Sequence, residues 1–318
     1  MKSPFINQNQ TPFERYKRQL DLPEIGLSGQ KKLAGSSVFV IGAGGLGAPL
    51  LTALAGAGVG RIGICESDHV EYSNLNRQFF YTPGQLGQSK LQLALAFLRQ
   101  YQPETEWIGY DQAFSAETAG EVILSYDLVL AAVDNRKTRW MLNQAACERG
   151  RPFIDAGIKG WDGYVLFVDP GHTACYACFC GGCDPAASAS KDSNSREFQA
   201  RELRAREIHT REAQNKDLQA RELHAEELHA KEIHAIDKDA GMNHMNKESQ
   251  KIRAEKKPSV LGATASLVGS LQGQLALRWL LLGNSEMPED LLLYNGRTSQ
   301  IDKVKLKRMP DCPICGNL

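Results

Sequence analysis

The sequence predicts an α/β protein: a mostly parallel sheet with helices on both faces, finished by antiparallel strands toward the C-terminus. Three observations predict it. Short apolar runs alternate with longer amphipathic ones over residues 1–186, the texture of successive βαβ units. A glycine-rich hexapeptide directly follows the first apolar run, as a tight strand-to-helix turn requires. Residues 258–318 then carry a long apolar helical stretch and two strand-like runs around the turn residues Asn295-Gly296.

Taken in order, Ser37-Val38-Phe39-Val40-Ile41 reads as a buried strand and 48–58 as the helix after it. Arg61-Ile62-Gly63-Ile64-Cys65 is a second strand. Residues 89–101 form an amphipathic helix that closes before Pro103. Residues 127–133 are another buried strand, followed by a helix over 137–149 and a strand over 152–155. A further strand spans 164–168. The C-terminal part adds a helix over 261–282, then strands over 291–294 and 301–306.

Three regions differ in texture: 1–186, a polar and repetitive 187–257, and 258–318, which completes the same domain as the first. From Arg196 to Ala235 the middle region holds eight pentads of the form charged, acidic, apolar, variable, small, such as Lys231-Glu232-Ile233-His234-Ala235. A five-residue step rotates about 140° around a helix of 3.6 residues per turn. The apolar positions therefore make no stripe, and an odd period alternates faces in a strand. The region reads as a solvated helix or a disordered insertion. His224, His229 and His234 do not share a helix face, so a metal site is not expected there.

Composition excludes several classes. Lys plus Arg and Asp plus Glu are each 37, a formal net charge of zero, without the basic footprint of a nucleic-acid binder. The first twenty residues include Lys2, Glu14, Arg15 and Lys17, unlike a secretory signal. Residues 36–60 are 25 residues without a charge, but seven glycines and Pro49 suit a turn and a packed helix better than a membrane span. The second apolar stretch is interrupted by Gln272, Gln274 and Arg278. Eight cysteines are few for a disulfide scaffold, and the expectation is a soluble protein of a reducing cytoplasm.

The chemistry starts at Gly42-Ala43-Gly44-Gly45-Leu46-Gly47. Gly42, Gly44, Gly45 and Gly47 let the backbone approach a phosphate at a helix N-terminus, which supplies amide donors and a favourable dipole. The pattern fits NAD, FAD and ATP alike. Glu66 ends the second strand about twenty residues on, where an acid suits ribose hydroxyls. Ser73-Asn74-Leu75-Asn76-Arg77-Gln78 then puts a cation inside a polar loop. Lys90 follows near a helix start, and Asp134-Asn135 sits at the C-terminal end of a strand, where open α/β sheets bind ligands. Two cations and a carboxylate around a glycine loop suit a triphosphate with Mg2+ better than a nicotinamide.

With Arg15-Tyr16-Lys17-Arg18-Gln19 and the cysteine pairs, this ordered series resembles the ThiF/MoeB/HesA sulfur-carrier adenylyltransferases, relatives of ubiquitin-activating enzymes. The resemblance covers 13–183 and 258–318. It implies a Rossmann-like fold and ATP-dependent adenylylation of the C-terminal Gly-Gly carboxylate of a small ubiquitin-like sulfur-carrier protein, in thiamine or molybdopterin cofactor biosynthesis. It places Gly45 against the nucleotide, Glu66 at the ribose position, and Arg77 and Lys90 on the phosphates. Asp134 is associated with Mg2+, with Asn135 beside it, and Ser73, Asn74 and Asn76 belong to the same nucleotide-binding set. The family usually has Asp where this chain has Glu66. The resemblance also implies a homodimer in which Arg18 reaches the partner subunit's phosphates.

Cys175-Tyr176-Ala177-Cys178 and Cys312-Pro313-Ile314-Cys315 are two CxxC pairs, enough for one tetrahedral structural zinc that ties the C-terminus back. A local set of Cys175, Cys178, Cys180 and Cys183 is the alternative. Cys180 or Cys183 is also the only cysteine near the segment where some relatives carry a sulfur-transfer residue; no catalytic cysteine is expected. Rival functions are another enzyme on the same platform, such as a tRNA-modifying dehydratase or a peptide-modifying adenylyltransferase, and a non-catalytic scaffold. An NAD-dependent oxidoreductase explains neither the CxxC pairs nor the SNLNRQ segment.

Overall fold

A computed structural model describes residues 13–182 and 259–318. The pentad repeat, its histidines and Cys183 lie outside the described residues. The described elements, in order, are α1 (Lys17–Leu20), α2 (Gly26–Ala34), β1 (Ser37–Ile41), α3 (Gly47–Ala57), β2 (Arg61–Cys65), α4 (Lys90–Tyr101), β3 (Glu106–Tyr110), α5 (Ala116–Val122), β4 (Leu128–Ala131), α6 (Arg136–Glu148), β5 (Phe153–Lys159), β6 (Asp162–Val168), α7 (Tyr176–Phe179), α8 (Gly262–Leu282), β7 (Asp290–Asn295) and β8 (Gln300–Lys305).

One eight-stranded sheet runs in the order β3-β2-β1-β4-β5-β6-β7-β8. The first five strands are parallel, and β6, β7 and β8 join antiparallel. Strand residues alternate between the two faces, as the period of two demands. Val38 and Val40 of β1 pack under α3, α4 and α8 with Leu54, Leu95 and Leu275. Phe39 and Ile41 face the other way, toward α5, α6 and α7, with Ala119, Leu142 and Tyr176. β1 and β4 are buried along their whole length because helices cover both sides.

Sequence reading missed α1, α2, α5, α7 and β3. β3 is an edge strand with one buried residue, Trp107, so its apolar signal is weak. The polar interruption at Gln272 has a packing reason. Its side chain is completely buried and its Nε2 donates to the carbonyls of Ala131 and Ile154 at 2.9 Å each, fixing α8 on the ends of β4 and β5. No helix of the described residues is long and apolar enough to cross a membrane.

Candidate functional site

Strand order reverses at β1: β2 lies on one side and β4 on the other. The crevice beyond the carboxyl ends of such a pair is where open α/β sheets bind ligands. The glycine loop leaves β1 here. Gly42 has φ +99°, and a Cβ on it would stand 2.5 Å from the Ala132 carbonyl oxygen. A Cβ on Gly47 would meet the Gly42 oxygen at 2.1 Å. These two glycines are required by the turn itself. Gly44 and Gly45 lie instead against Gln78 and the aliphatic stem of Arg77; a Cβ on Gly45 would be 3.1 Å from Arg77 Cγ.

Glu66 sits directly after β2. Its Oε2 accepts the Ala43 amide at 2.8 Å, and its Oε1 accepts the amides of Ser67 and Asp68 at 2.9 Å each. A carboxylate offers about four acceptor positions, so roughly one remains for a ligand hydroxyl. The extra methylene relative to Asp thus lets Glu66 staple the glycine loop to the loop after β2.

Lys90 is the first residue of α4, with its side chain only 5% exposed. Its Nζ lies 3.1 Å from Asp68 Oδ2, while the Asp68 side chain is 70% exposed. A buried ammonium is costly unless paired, and Asp68 supplies the partner from the solvent side. Tyr81 closes this arrangement: its buried hydroxyl donates to the Ala43 carbonyl at 2.9 Å and lies 3.3 Å from that of Lys90. Burial, reinforced by Glu66 and Asp68, raises the Tyr81 hydroxyl far above its ordinary pKa.

Arg77 is half-buried and donates to the Ser73 carbonyl and to Asn76 Oδ1, both at 2.9 Å. Asn74 is buried and its Oδ1 accepts the Glu71 amide at 3.1 Å; Ser73 bonds the Glu71 carboxylate at 3.3 Å. These two shape the loop that presents Arg77. The α8 N-terminus packs on the same loop, since a Cβ on Gly262 would be 2.5 Å from the Asn76 oxygen. On the β4 side, Asp134 stands exposed and Asn135 caps α6 by accepting the Thr138 amide at 2.8 Å.

Arg18 is not brought to this end. It is exposed on α1, and its neighbours Tyr16 and Gln19 pack at the opposite end of α3. A Cβ on Gly58 would meet Tyr16, and Gln19 donates to the Ala57 carbonyl at 3.0 Å. The length of α3, about 16 Å at 1.5 Å per residue, separates that end from the glycine loop.

The cysteines form a second centre. Cys175 Sγ lies 3.6 Å from Cys312 Sγ, and Cys178 Sγ 3.5 Å from Cys315 Sγ. All four are buried, with sulfurs within 4.8 Å of one another. Such spacings far exceed an S–S bond of about 2.05 Å and match the edges of about 3.8 Å of a tetrahedron with 2.3 Å metal–sulfur bonds. The donor set fits zinc. The Met309 amide donates to Cys178 at 3.4 Å and the Cys315 amide to Cys312 at 3.5 Å, while Asn143 Nδ2 donates to Cys175 at 3.6 Å. The bond from Cys175, together with burial, pushes the Cys178 thiol up to about 12; a bound cation would be needed to draw these protons off. The C-terminal pair, rather than Cys180, completes the group. Cys65 is buried on β2, and burial, then the charge of Glu66, push its thiol up to about 12.

Sequence reading also passed over Asp68 as a partner of Lys90, Tyr81, and the packing role of Gln78. Asp68 stands two residues after Glu66 in an acidic loop, a signal that was visible but not distinctive.

A glycine loop at the switch point of a doubly wound sheet, with Arg77 packed on it and Glu66 bonded to it, is the arrangement of α/β proteins that bind phosphate-bearing ligands. The chain belongs to the ThiF family, whose model matches residues 16–314. It is 31% identical over 309 residues to the sulfur carrier protein adenylyltransferase of Thermus thermophilus, covering 96% of this chain and 91% of that one. It is 42% identical over 164 residues to the adenylyltransferase and sulfurtransferase MOCS3 of Sus scrofa, covering 52% of this chain and 36% of that protein. Among solved structures, MccB of E. coli shares the fold with a TM-score of 0.66 at 17% identity, over 97% of this chain and 76% of that one.

Proposed function

We propose that the chain is an ATP-dependent adenylyltransferase that activates the C-terminal Gly-Gly carboxylate of a small ubiquitin-like sulfur-carrier protein. The observation that carries this reading is the packing of Arg77 on Gly45, with buried Lys90 paired to Asp68 just after Glu66, which itself bonds the glycine loop, in a chain similar to a sulfur carrier protein adenylyltransferase over nearly its whole length. The amides of the loop and the α3 N-terminus receive the phosphates. Arg77 and Lys90 neutralise them, with Lys90 exchanging Asp68 for a phosphate oxygen. Glu66 keeps the loop in register and retains room for one ribose hydroxyl. Asp134 would hold Mg2+, which supplies positive charge at the triphosphate. The four cysteines would hold a structural zinc, remote in role from the reaction.

The carrier's terminal carboxylate oxygen attacks the α-phosphorus. An O–P bond forms, the bond to the bridging oxygen breaks, and that oxygen leaves with its electron pair as pyrophosphate. No enzyme nucleophile is required; the chain aligns the reactants and stabilises developing charge. Arg18 serves the neighbouring subunit's site in a homodimer, which accounts for its distance from its own loop. The carrier belongs to thiamine, molybdopterin or another sulfurated-product synthesis. ATP–pyrophosphate exchange, measured with candidate carriers added one at a time, tests the reading. Exchange that depends on a Gly-Gly carrier supports it; exchange driven by a short peptide and by no carrier would instead make this a peptide-modifying enzyme on the same fold.

A further inference from the structure

Behind the Asp134 turn, three polar side chains are sealed into the α6 face of the sheet. Asp155 on β5 and Arg139 on α6 are 1% and 9% exposed. Arg139 Nε donates to Asp155 Oδ1 at 3.0 Å, and the Tyr164 hydroxyl donates to Asp155 Oδ2 at 2.6 Å. The guanidinium carbon lies 5.9 Å from the centre of the Tyr164 ring. A Cβ on Gly157 would stand 2.3 Å from that ring, so this glycine makes the space for it.

A buried ion pair is a weak source of stability, since apolar residues of similar volume often serve as well. The guanidinium does something apolar residues cannot. Its second terminal nitrogen donates to two main-chain carbonyls, Val133 and Ala156. Val133 immediately precedes Asp134, and Asn135 immediately follows it as the α6 cap. The peptide that carries Asp134 is therefore pinned on both sides, and the pin on the strand side is Arg139. Asp134 itself is exposed, so the main chain sets where the residue stands at the strand end.

We infer that Arg139 is a positioning residue for the adenylylation reaction: anchored by Asp155 and Tyr164, it grips the Val133 carbonyl and fixes the main chain that carries Asp134. This rests on the reading that Asp134 serves the nucleotide's phosphates. Lysine is a point charge without a planar fork; it can keep the contact with Asp155 but not the Asp155 and carbonyl bonds together. A displacement of about 1 Å at a reacting site can cost roughly a hundredfold in rate.

The test compares Arg139→Lys, Asp134→Ala and the double variant in carrier-dependent ATP–pyrophosphate exchange, together with hydrogen exchange of the 133–136 amides in the ligand-free protein. Arg139→Lys is expected to lower kcat at least tenfold while KM for ATP moves less than threefold. Its 133–136 amides should exchange at least tenfold faster, with the amides of β1 and β2 unchanged. Added to Asp134→Ala, it should lower the rate no further, because both changes remove one function. Normal kcat in folded Arg139→Lys, or multiplicative losses in the double variant, would overturn the inference. Near-normal exchange in Asp134→Ala would instead sink the reading of Asp134 itself. Should Arg139→Lys fail to fold, the apolar pair Arg139→Met with Asp155→Leu, which leaves no buried charge unpaired, and Tyr164→Phe, which removes only one anchor, take its place. Unchanged 133–136 exchange in a folded one of these rejects the grip.

Discussion

At the glycine-loop end, the charged groups come from separate loops and a helix start, and several stand open to solvent: Asp134 is exposed, Arg77 half-buried, and Lys90 rests against an exposed Asp68. At the cysteine knuckle the four sulfurs come from two short turns 137 residues apart, and every one is buried. In the first, a buried lysine is paired with a carboxylate that is itself open to solvent. The second is closed by its own main-chain donors and offers no position to a substrate. α6 touches both, with Asn135 capping its start beside Asp134 and Asn143, two turns later, bonding Cys175 and the Tyr176 amide. The open site is held by bonds of its own, the Glu66 carboxylate on loop amides and the Arg139 guanidinium on the Val133 carbonyl.

The largest expected effect breaks the open site alone. Asp134→Ala should lower carrier-dependent pyrophosphate exchange by three orders of magnitude or so, on the scale known for charge-stabilising groups in phosphoryl transfer, while unfolding temperature stays unchanged because the side chain is exposed. A second variant asks whether the site is complete within one chain. Arg18→Ala should bind ATP but lose roughly a hundredfold in exchange. Mixing it with Asp134→Ala under conditions where subunits demonstrably exchange should restore part of the activity, since one site of each mixed dimer has both residues. No recovery would confine Arg18 to a surface or packing role.

The closed site answers to a different measurement. Purified protein should carry about one zinc per chain, and Cys312→Ser should lose it along with on the order of 3 kcal/mol or more of stability. Its residual folded fraction should still bind ATP. If the folded variant cannot bind nucleotide, the two regions are not separable and the contrast drawn above fails. Glu66→Gln tests the staple more gently. The amide keeps one acceptor but turns an NH2 toward chain amides that need an acceptor, so at least one of three bonds is lost, at about 1–3 kcal/mol. ATP affinity should fall about tenfold by calorimetry. The smallest effect is expected from removing residues 188–250. A pentad period makes no core-facing stripe, so nucleotide affinity should change less than twofold.

Much of this was legible without coordinates, because its causes are local. A positive φ and a close main-chain approach demand glycine wherever they occur, so Gly42 and Gly47 announce their turn within six residues. Two-sided burial leaves β4 and residues 38–41 of β1 continuously apolar, and CxxC spacing brings two sulfurs together on one short turn. Asp134 and Asn135 were readable as a strand-end pair for the same reason. What escaped depends on contacts distant in the chain. β3 lies at an edge and buries little. Gln272 looked like a polar break until its amide met two carbonyls from different strands. Asp68 became a partner for Lys90 only when the loop after β2 folded onto the start of α4.

The sequence by itself determined seven of the eight strands with the helices α3, α4, α6 and α8, the glycine turn and the supply of charged and sulfur-bearing groups, since each follows from neighbours a few residues apart. Only the tertiary structure decided which groups meet. It joined Cys175 and Cys178 to Cys312 and Cys315 rather than to Cys180, engaged most of the Glu66 carboxylate with main-chain amides, and set Arg18 at the far end of α3 from its own glycine loop. The reason is physical: backbone geometry is imposed by the residue and its neighbours, whereas the partner of a buried charge or thiol is whatever the packed sheet and helices carry into reach.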